Sequence, residues 1–322
     1  MSPVPQPYGA VVLARNALYD RGVLKQHRLQ GPVVSIGNLT VGGAGKTPFL
    51  IVLGELLKQR GIAFDVLSRG YGRASKGVRV VDPEGSPREF GDEPLLIARK
   101  LRMPVIVGEE RYKAGLLAEQ RFGARLHLLD DGFQHRQLAR DFDIVLITAS
   151  DVRDALLPFG RLREPLSSLS RANAIVVTNE TVLDGLALRH QLTWRMRRGL
   201  ELSPIHGPCV AFCGIARPAN FFAELSAGGL TLSDTKVFGD HHVYTRHDIR
   251  ALQRLQQRSG AAAFVTTEKD AINLGALATE LGPLHVVPVR LELQNADEVM
   301  DAVLAVMPGA PGSRFSANLG PR

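Results

Sequence analysis

Ser35-Ile36-Gly37-Asn38-Leu39-Thr40-Val41-Gly42-Gly43-Ala44-Gly45-Lys46-Thr47-Pro48 is the stretch on which the fold turns. A buried-strand pattern, Val33-Val34-Ser35-Ile36, runs into a glycine-rich loop, and a helical pattern from Pro48 to Arg60 follows it. This is the P-loop arrangement. Glycines let successive backbone N–H groups close around phosphate oxygens, and the helix N-terminus adds its partial positive charge. Gly42, Gly43, Ala44 and Gly45 are the expected cradle. Lys46 is expected to reach the β- and γ-phosphates of a nucleotide, and Thr47 to offer its hydroxyl to Mg²⁺. The strict spacing asks for glycine at position 40, where this chain has Thr40, so Gly42 and Gly43 supply the flexibility instead. Pro48 suits a first helical turn.

Outward from the loop, strand-length apolar runs alternate with helical patterns. Ala63–Leu67, Val105–Val107, Leu126–Leu129, Ile144–Thr148 and Ile175–Thr178 read as strands, and Glu93–Leu101 and Tyr112–Phe122 as helices. The runs are continuously apolar rather than alternating, as in parallel strands covered on both faces. Leu192–Leu202 is basic and semi-alternating, which suits an exposed strand or linker. A second α/β pattern follows: Val210–Phe212, a helix near Asn220–Ser226, a helix over Thr245–Ser259 and a strand over Ala263–Thr266. The expected class is therefore α/β, a mostly parallel P-loop sheet with helices on both faces plus a smaller second α/β domain. The expected division is an amphipathic segment at 1–28, a core domain at 29–185, a linker strand at 186–205 and the smaller domain at 206–285. A return strand and C-terminal helix at 286–307 and a disordered tail at 308–322 complete it.

Three clusters carry further chemistry. Leu126-His127-Leu128-Leu129-Asp130-Asp131-Gly132 is an apolar strand ending in acids, the Walker-B form that sets a carboxylate beside the Mg²⁺ of a P-loop. Gly91-Asp92-Glu93-Pro94 reads as a helix N-cap, and a cap aspartate at the mouth of a sheet is also placed to accept a proton. Phe238-Gly239-Asp240-His241-His242 sets two histidines after an acid, outside any regular pattern.

Composition excludes other classes. The 322 residues are 45% hydrophobic and 22% charged, the balance of a globular protein rather than a disordered chain or a coiled coil. No apolar run approaches the roughly 18–20 residues that cross a bilayer, and MSPVPQPYGA lacks the layout of a signal peptide, so a cytosolic location is expected. The net charge of +7 suggests a polyanionic partner. The chain has no helix-turn-helix, zinc-finger or aromatic RNA-binding signature, so nucleic acid is not expected. Cys209 and Cys213, four apart with no second pair, read as reduced thiols rather than a zinc site.

Taken in order, Gly37–Pro48, Leu67-Ser68-Arg69-Gly70-Tyr71-Gly72, Gly91–Pro94, Asp130–His135, Leu162-Arg163-Glu164-Pro165, Asp240–His242 and Thr266-Thr267-Glu268-Lys269-Asp270 resemble the tetraacyldisaccharide 4'-kinase (lipid A 4'-kinase) family of Gram-negative bacteria. The likeness runs from about residue 10 to about 300, and the Thr40 and Pro48 departures are features of that family's own loop. It implies a kinase that moves the γ-phosphate of ATP, with Mg²⁺, to the 4'-hydroxyl of a tetraacylated glucosamine disaccharide 1-phosphate. It also implies a cleft between two domains joined by a two-stranded linker. Lys46 and Thr47 carry over as phosphate and Mg²⁺ residues, and Asp130 and Asp131 as the Walker-B pair. Asp92 carries over as the base on the sugar hydroxyl, paired with a histidine of the second domain, which is His241 or, in the alternative, His242. Arg69, Glu93, Arg111 and His135 are further binding or supporting candidates.

A lipid acceptor stays in its membrane, so the implied location is peripheral, on the cytoplasmic face of the inner membrane, with no obligate protein partner. Tyr8, Val11, Val12, Leu18 and Tyr19 near helical spacing, with Arg15, Arg21, Lys25 and Arg28, suit an interfacial helix facing anionic lipid. The competing reading is a regulatory or metal-delivery NTPase of the SIMIBI class. Its GTP-binding forms carry an Asn/Thr-Lys-x-Asp motif, of which Thr178-Asn179-Glu180 and Glu268-Lys269-Asp270 are only fragments.

Overall fold

The computed structural model describes residues 7–178, 186, 188 and 191–309. The expected tail beyond 309, the first six residues of the N-terminal segment and parts of 179–190 lie outside the described residues.

Two sheets organise the chain. The larger is centred on β1 (Val33–Asn38), flanked by β5 (Leu126–Asp130) and β6 (Phe142–Ile147), with β2 (Phe64–Ser68), β4 (Val105–Val107) and β7 (Ala174–Val177) outside them, all parallel. Every residue of β1, β5 and β6 is buried. Side chains alternate between two apolar faces. Val34, Ile36, Leu126, Leu128, Ile144 and Leu146 pack with helices α2 (Lys46–Gln59) and α4 (Asp92–Leu101). Val33 and Leu129 pack with α5 (Arg111–Phe122) on the opposite face. That two-sided burial is why these strands read as unbroken apolar runs.

Beneath α5 the chain buries an ionisable cluster. His127 Nδ1 is 2.8 Å from Asp65 Oδ2 and His127 Nε2 is 3.3 Å from Glu119 Oε1. Glu119 also accepts the N–H groups of Gln30 and Gly31, which pins the segment entering β1.

The expected linker strand joins the larger sheet. β8 (Leu192–Leu200) lies parallel to β7 and turns Trp194 and Met196 into the core, with Trp194 stacked on Phe142 at 6.0 Å. The run read as one strand from Val286 to Leu293 is two. β12 (Leu284–Val287) ends before Pro288 and β13 (Val289–Leu293) returns antiparallel on β8. Proline has no ladder donor, so the run divides there between two sheets. α10 (Ala296–Leu304) then packs Val299, Met300 and Val303 into the core around α2. Among the described residues, the short elements that the sequence reading does not give include β3 (Arg79–Val80), α3 (Pro87–Phe90) and α6 (Ala149–Val152). Among the described residues the larger sheet has nine strands, in the order β13-β8-β7-β6-β1-β5-β2-β4-β3.

The smaller sheet is all parallel. Its strands β9 (Cys209–Cys213), β10 (Leu232–Val237), β11 (Ala263–Thr267) and β12 lie in the order β10-β9-β11-β12. α7 (Pro218–Ala227) covers one face through Phe221 and Leu225. α8 (Arg246–Ser259) covers the other through Ile249 and Leu252. β11 runs directly into α9 (Glu268–Leu274), whose Ile272 belongs to the large sheet's core beside α4. α9 therefore brings its polar residues against the N-terminal end of α4.

Both free cysteines are buried, and burial raises both thiols above their ordinary value, Cys213 to about 12. Among the described residues no group of three or more His, Cys, Asp or Glu forms a metal cluster.

Candidate active site

The carboxyl ends of parallel strands are where an open α/β sheet leaves a crevice. Here β1 ends in Asn38 and β5 in Asp130, side by side. Between Asn38 and α2 the loop turns through Gly42 (φ 99°) and Gly45 (φ 87°), left-handed positions that favour glycine. Gly45 caps α2 with no side chain on the first turn's N–H groups, so they open on the crevice.

Lys46 begins α2. Its Nζ donates to Asn38 Oδ1 at 2.9 Å and lies 3.3 Å from Asp131 Oδ1. Arg163 serves the same acceptors. Its guanidinium takes both Asp131 oxygens at 2.9 and 3.0 Å, Asn38 Oδ1 at 2.8 Å and the Thr40 carbonyl at 3.0 Å. Burial opposes ionisation of Asp131, but Lys46 and Arg163 outweigh it and hold the carboxyl well below the usual range.

Asp130 is different. Ser68 Oγ donates to its Oδ2 at 2.8 Å, while its Oδ1 is buried with no hydrogen-bond partner among the described residues. Burial, then the Glu93 and Asp131 charges, push its carboxyl up to about 7. The two aspartates do not simply alternate along a continuing strand. β5 stops at Asp130, and Asp131 sits at φ 49°, in the left-handed region.

Asp92 is the first residue of α4, and its N-cap is Gly91. The expectation of Asp92 as the cap itself is corrected by one position. Gly91 turns at φ 89°, and a Cβ there would meet the Tyr71 carbonyl at 3.0 Å, so glycine takes the cap and Asp92 faces inward. Asp92 is only 4% exposed. His241 Nδ1 lies 3.0 and 2.9 Å from its two oxygens, and Asn273 Nδ2 donates to Oδ2 at 3.1 Å. Burial raises the Asp92 carboxyl, but His241, Lys269 and Asn273 together bring it below its ordinary value. The hydrogen bond to Asp92 lifts the imidazole above its own ordinary value, against burial and Lys269.

Of the tandem histidines, His241 is the one that meets Asp92. It is held at φ 58°, with its N–H on the Gly214 carbonyl at 3.3 Å. His242 turns away, bonding Asp248 Oδ2 at 3.1 Å and stacking on Phe238 at 4.7 Å.

Lys46, Thr47, Arg69, Asp92, Glu93, Asp130, Asp131 and His241 all line one cleft of about 900 Å³. The lining also includes the apolar side chains Ile51, Val52, Leu200, Phe221, Val287 and Val289. A polyphosphate and a flat apolar ring together match that mixed lining. Arg69 is exposed at the rim. Arg111 is buried and lies outside the lining. Burial and the Arg69 charge lower it to about 10, against the pull of Asp130 and Asp131. His135 also lies outside the lining, and burial with the charges of Arg111, Arg140, Arg15 and Arg69 pushes it down to about 3, so it is neutral at physiological pH.

Residues given no role from the sequence complete the site: Asn38, Ser68, Arg163 and Lys269, which lie inside the quoted motifs, and Asn273, which does not. The last two are four apart, the spacing that puts side chains on one helix face, and that was the available signal.

Comparison with known proteins agrees with this geometry. The family model described as tetraacyldisaccharide-1-P 4'-kinase (LpxK) matches residues 1–307. A tetraacyldisaccharide 4'-kinase of Koribacter versatilis is 50% identical over 317 residues, 95% of this chain and 98% of that one. One of Aquifex aeolicus is 38% identical over 284 residues, covering 83% and 87%. The crystal structure of an "apo" form of LpxK from Aquifex aeolicus in complex with ATP superimposes with a TM-score of 0.76 at 34% identity, covering 93% of this chain and 96% of that one. The competing reading as a regulatory or metal-delivery NTPase finds no support in these matches. The chain, with a P-loop and a paired aspartate and histidine on one cleft, belongs to the tetraacyldisaccharide-1-P 4'-kinase family.

Proposed function

We propose that this cleft transfers the γ-phosphate of ATP to the 4'-hydroxyl of a tetraacyldisaccharide 1-phosphate, giving lipid IVA, a lipid A precursor. The observation that carries the reading is the Asp92–His241 pair, a buried carboxylate and an imidazole from two different sheets opening on the crevice of the Gly42–Thr47 loop. The chain then works as two domains, one on each sheet, with β8 and β13 as the paired strands between them.

Phosphoryl transfer asks for positioning, charge neutralisation and an acceptor for the hydroxyl proton. The open N–H groups from Gly42 to Thr47 receive phosphate oxygens. Lys46 moves from Asn38 and Asp131 to the phosphates, and Arg163 keeps both acceptors satisfied when it leaves. Asp92, ionised at neutral pH, takes the proton as the hydroxyl oxygen bonds to phosphorus. His241 Nδ1–H and Asn273 hold its carboxylate in orientation. Because the pair draws on both sheets, it is complete only with the cleft closed, which limits loss of phosphate to water.

The residues present fit a divalent cation. Asp130 Oδ1 is buried without a hydrogen-bond partner among the described residues, and Lys46 only partly offsets the burial and the neighbouring acid charges on its carboxyl, while Thr47 opens on the same cleft. Thr47 and Asp130 would hold Mg²⁺, with Asp131 behind them on Arg163 and Lys46. When bound, the ion supplies charge neutralisation to the phosphate oxygens.

The acceptor's acyl chains put the protein on a membrane, at the cytoplasmic face of the inner membrane. Among the described residues no helix is long and apolar enough to cross one. α1 (Pro7–Asp20) fits docking instead. Tyr8, Asn16 and Tyr19 face the protein, and Asn16 Nδ2 donates to Glu164 Oε2 at 2.8 Å. Of the apolar side chains expected on the outer face, Val11 (67% exposed) and Leu18 are there, joined by Leu13, while Val12 is half-buried.

The experiment is transfer of label from γ-labelled ATP to a tetraacyldisaccharide 1-phosphate in detergent micelles. Labelled lipid is expected. ATP turnover that is indifferent to the acceptor, with no labelled lipid, would remove the reading.

A further inference from the structure

Lys269, on α9, stands at the centre of the contacts between the two sheets. Its Nζ is 3.2 Å from His241 Nε2, 3.3 Å from Glu93 Oε1, 3.4 Å from Asp240 Oδ1 and 3.8 Å from Asp92 Oδ2. An ammonium only donates, so at 3.2 Å the imidazole Nε2 is an acceptor and carries no hydrogen. The other ring nitrogen faces both oxygens of an ionised carboxylate, which only accepts, so Nδ1 carries the proton. The two contacts together favour the neutral Nδ1–H form of the ring, while Asp240 Oδ2, 3.9 Å from Nε2, draws a proton toward that nitrogen.

We propose that Lys269 is a positioning residue that keeps the His241 imidazole neutral, with its Nδ1–H on Asp92, so that the carboxylate is oriented without being neutralised. The proposal rests on the reading of Asp92 as the base. An imidazolium at this position would set a second N–H against the Lys269 ammonium. It would also turn Asp92 into one half of an ion pair, a weaker acceptor for the sugar proton.

The surroundings support this division of labour. α4 presents Asp92 and Glu93 to the ring and the ammonium, the loop before α8 presents Asp240, α9 adds Asn273, and the Tyr71 ring lies 5.3 Å from the imidazole. Lys100 is occupied by Glu268. The hydrogen bond to Asp92, with the Asp92 and Asp240 charges, favours a second proton on His241 and lifts the ring above its ordinary value, and burial and Lys269 limit that rise. Glu93 and Asp240 keep Lys269 charged, against its own burial. Lys269 itself is held in place from behind. The next residue, Asp270, accepts from the Thr267 hydroxyl, from Tyr244 and from the N–H of Gly214, whose carbonyl holds the His241 backbone.

The test is a histidine ¹⁵N NMR titration of the full-length enzyme, with the His241 signal assigned by its loss in His241→Asn. Wild type should show the Nδ1–H tautomer above its midpoint. Lys269→Met and Lys269→Gln should each raise that midpoint by about one pH unit, the effect of removing one adjacent charge. Lys269→Arg should leave it at the wild-type value. The acid limb of kcat should move upward with the midpoint, while KM for ATP changes little. An unmoved or lowered midpoint in both neutral variants, or an Nε2–H tautomer in wild type, would overturn the proposal. A raised midpoint with an unmoved acid limb would support the role of Lys269 and remove Asp92–His241 as the base.

Discussion

Arg163 and Lys46 share two acceptors, and that sharing predicts a specific defect in nucleotide binding. With Arg163 in place, Lys46 can go to a phosphate and leave Asp131 still held by a two-pronged guanidinium. In Arg163→Met, Lys46 is the remaining cation of the two on Asp131, at 3.3 Å. Drawing it away then costs the pair's attraction. At an effective dielectric of about 40, chosen between surface and bulk values because Asp131 is 37% exposed, two charges at this separation attract by about 2.5 kcal/mol. Water recovers part of that, so ATP binding should weaken by about 2 kcal/mol, about thirtyfold in Kd. Isothermal titration of ATP into wild type, Arg163→Met, Asp131→Asn and the double variant measures it. The double variant should bind like Asp131→Asn alone, because a neutral amide at that position has no claim on Lys46. An Arg163→Met affinity within threefold of wild type, or a double variant no better than Arg163→Met, would refute the reasoning and assign Arg163 to the nucleotide directly.

Two further outcomes follow from other parts of the molecule. Burial opposes charge on His127, but Asp65 and Glu119 hold it above its ordinary value, and burial also lifts Asp65. A group raised on folding stabilises below its unfolded value and loses that contribution as pH climbs through its folded value. Wild-type Tm should therefore fall as pH rises from about 6 past neutrality, and His127→Gln should flatten that slope; a slope that persists unchanged in calorimetry would contradict it. At the N-terminus, Val11→Ser, Leu13→Ser and Leu18→Ser together should weaken binding to anionic vesicles and raise KM for vesicle-held lipid far more than KM for ATP, and salt should weaken binding further, since each cation near the surface contributes about 1 kcal/mol. Vesicle sedimentation that ignores both changes would leave α1 as a packing element.

The site was legible in the sequence where punctuation is strong. Glycines between a buried run and a helix mark the loop before Lys46, and an apolar strand ending in acids marks Asp130. The same signals locate both walls of the phosphate end. What was not legible depends on contacts between distant segments. α9 is seven residues long, too short for periodicity, yet it supplies Lys269 and Asn273. The partner of Asp131 is Arg163, thirty-two residues away, and the Leu162–Pro165 motif that holds it does not announce the pairing. The choice between His241 and His242 rests on the φ of 58° at His241, which turns one ring toward Asp92 and leaves the next on Phe238. The run from Val286 to Leu293 reads as one strand although Pro288 interrupts it, because a single proline also suits an edge strand.

The central claim is that Asp92, oriented by His241, takes the proton of the acceptor hydroxyl. Asp92→Asn keeps the shape of the side chain and removes its basicity. The deciding measurement is kcat for label transfer from γ-labelled ATP to the tetraacyldisaccharide 1-phosphate in Asp92→Asn, His241→Ala and the double variant, with Kd for ATP taken alongside. The account predicts a kcat loss of about a hundredfold or more in Asp92→Asn, a double variant little worse than that single, and ATP affinity within a few-fold of wild type. A kcat near wild type in Asp92→Asn, or losses that multiply fully in the double variant, would contradict it.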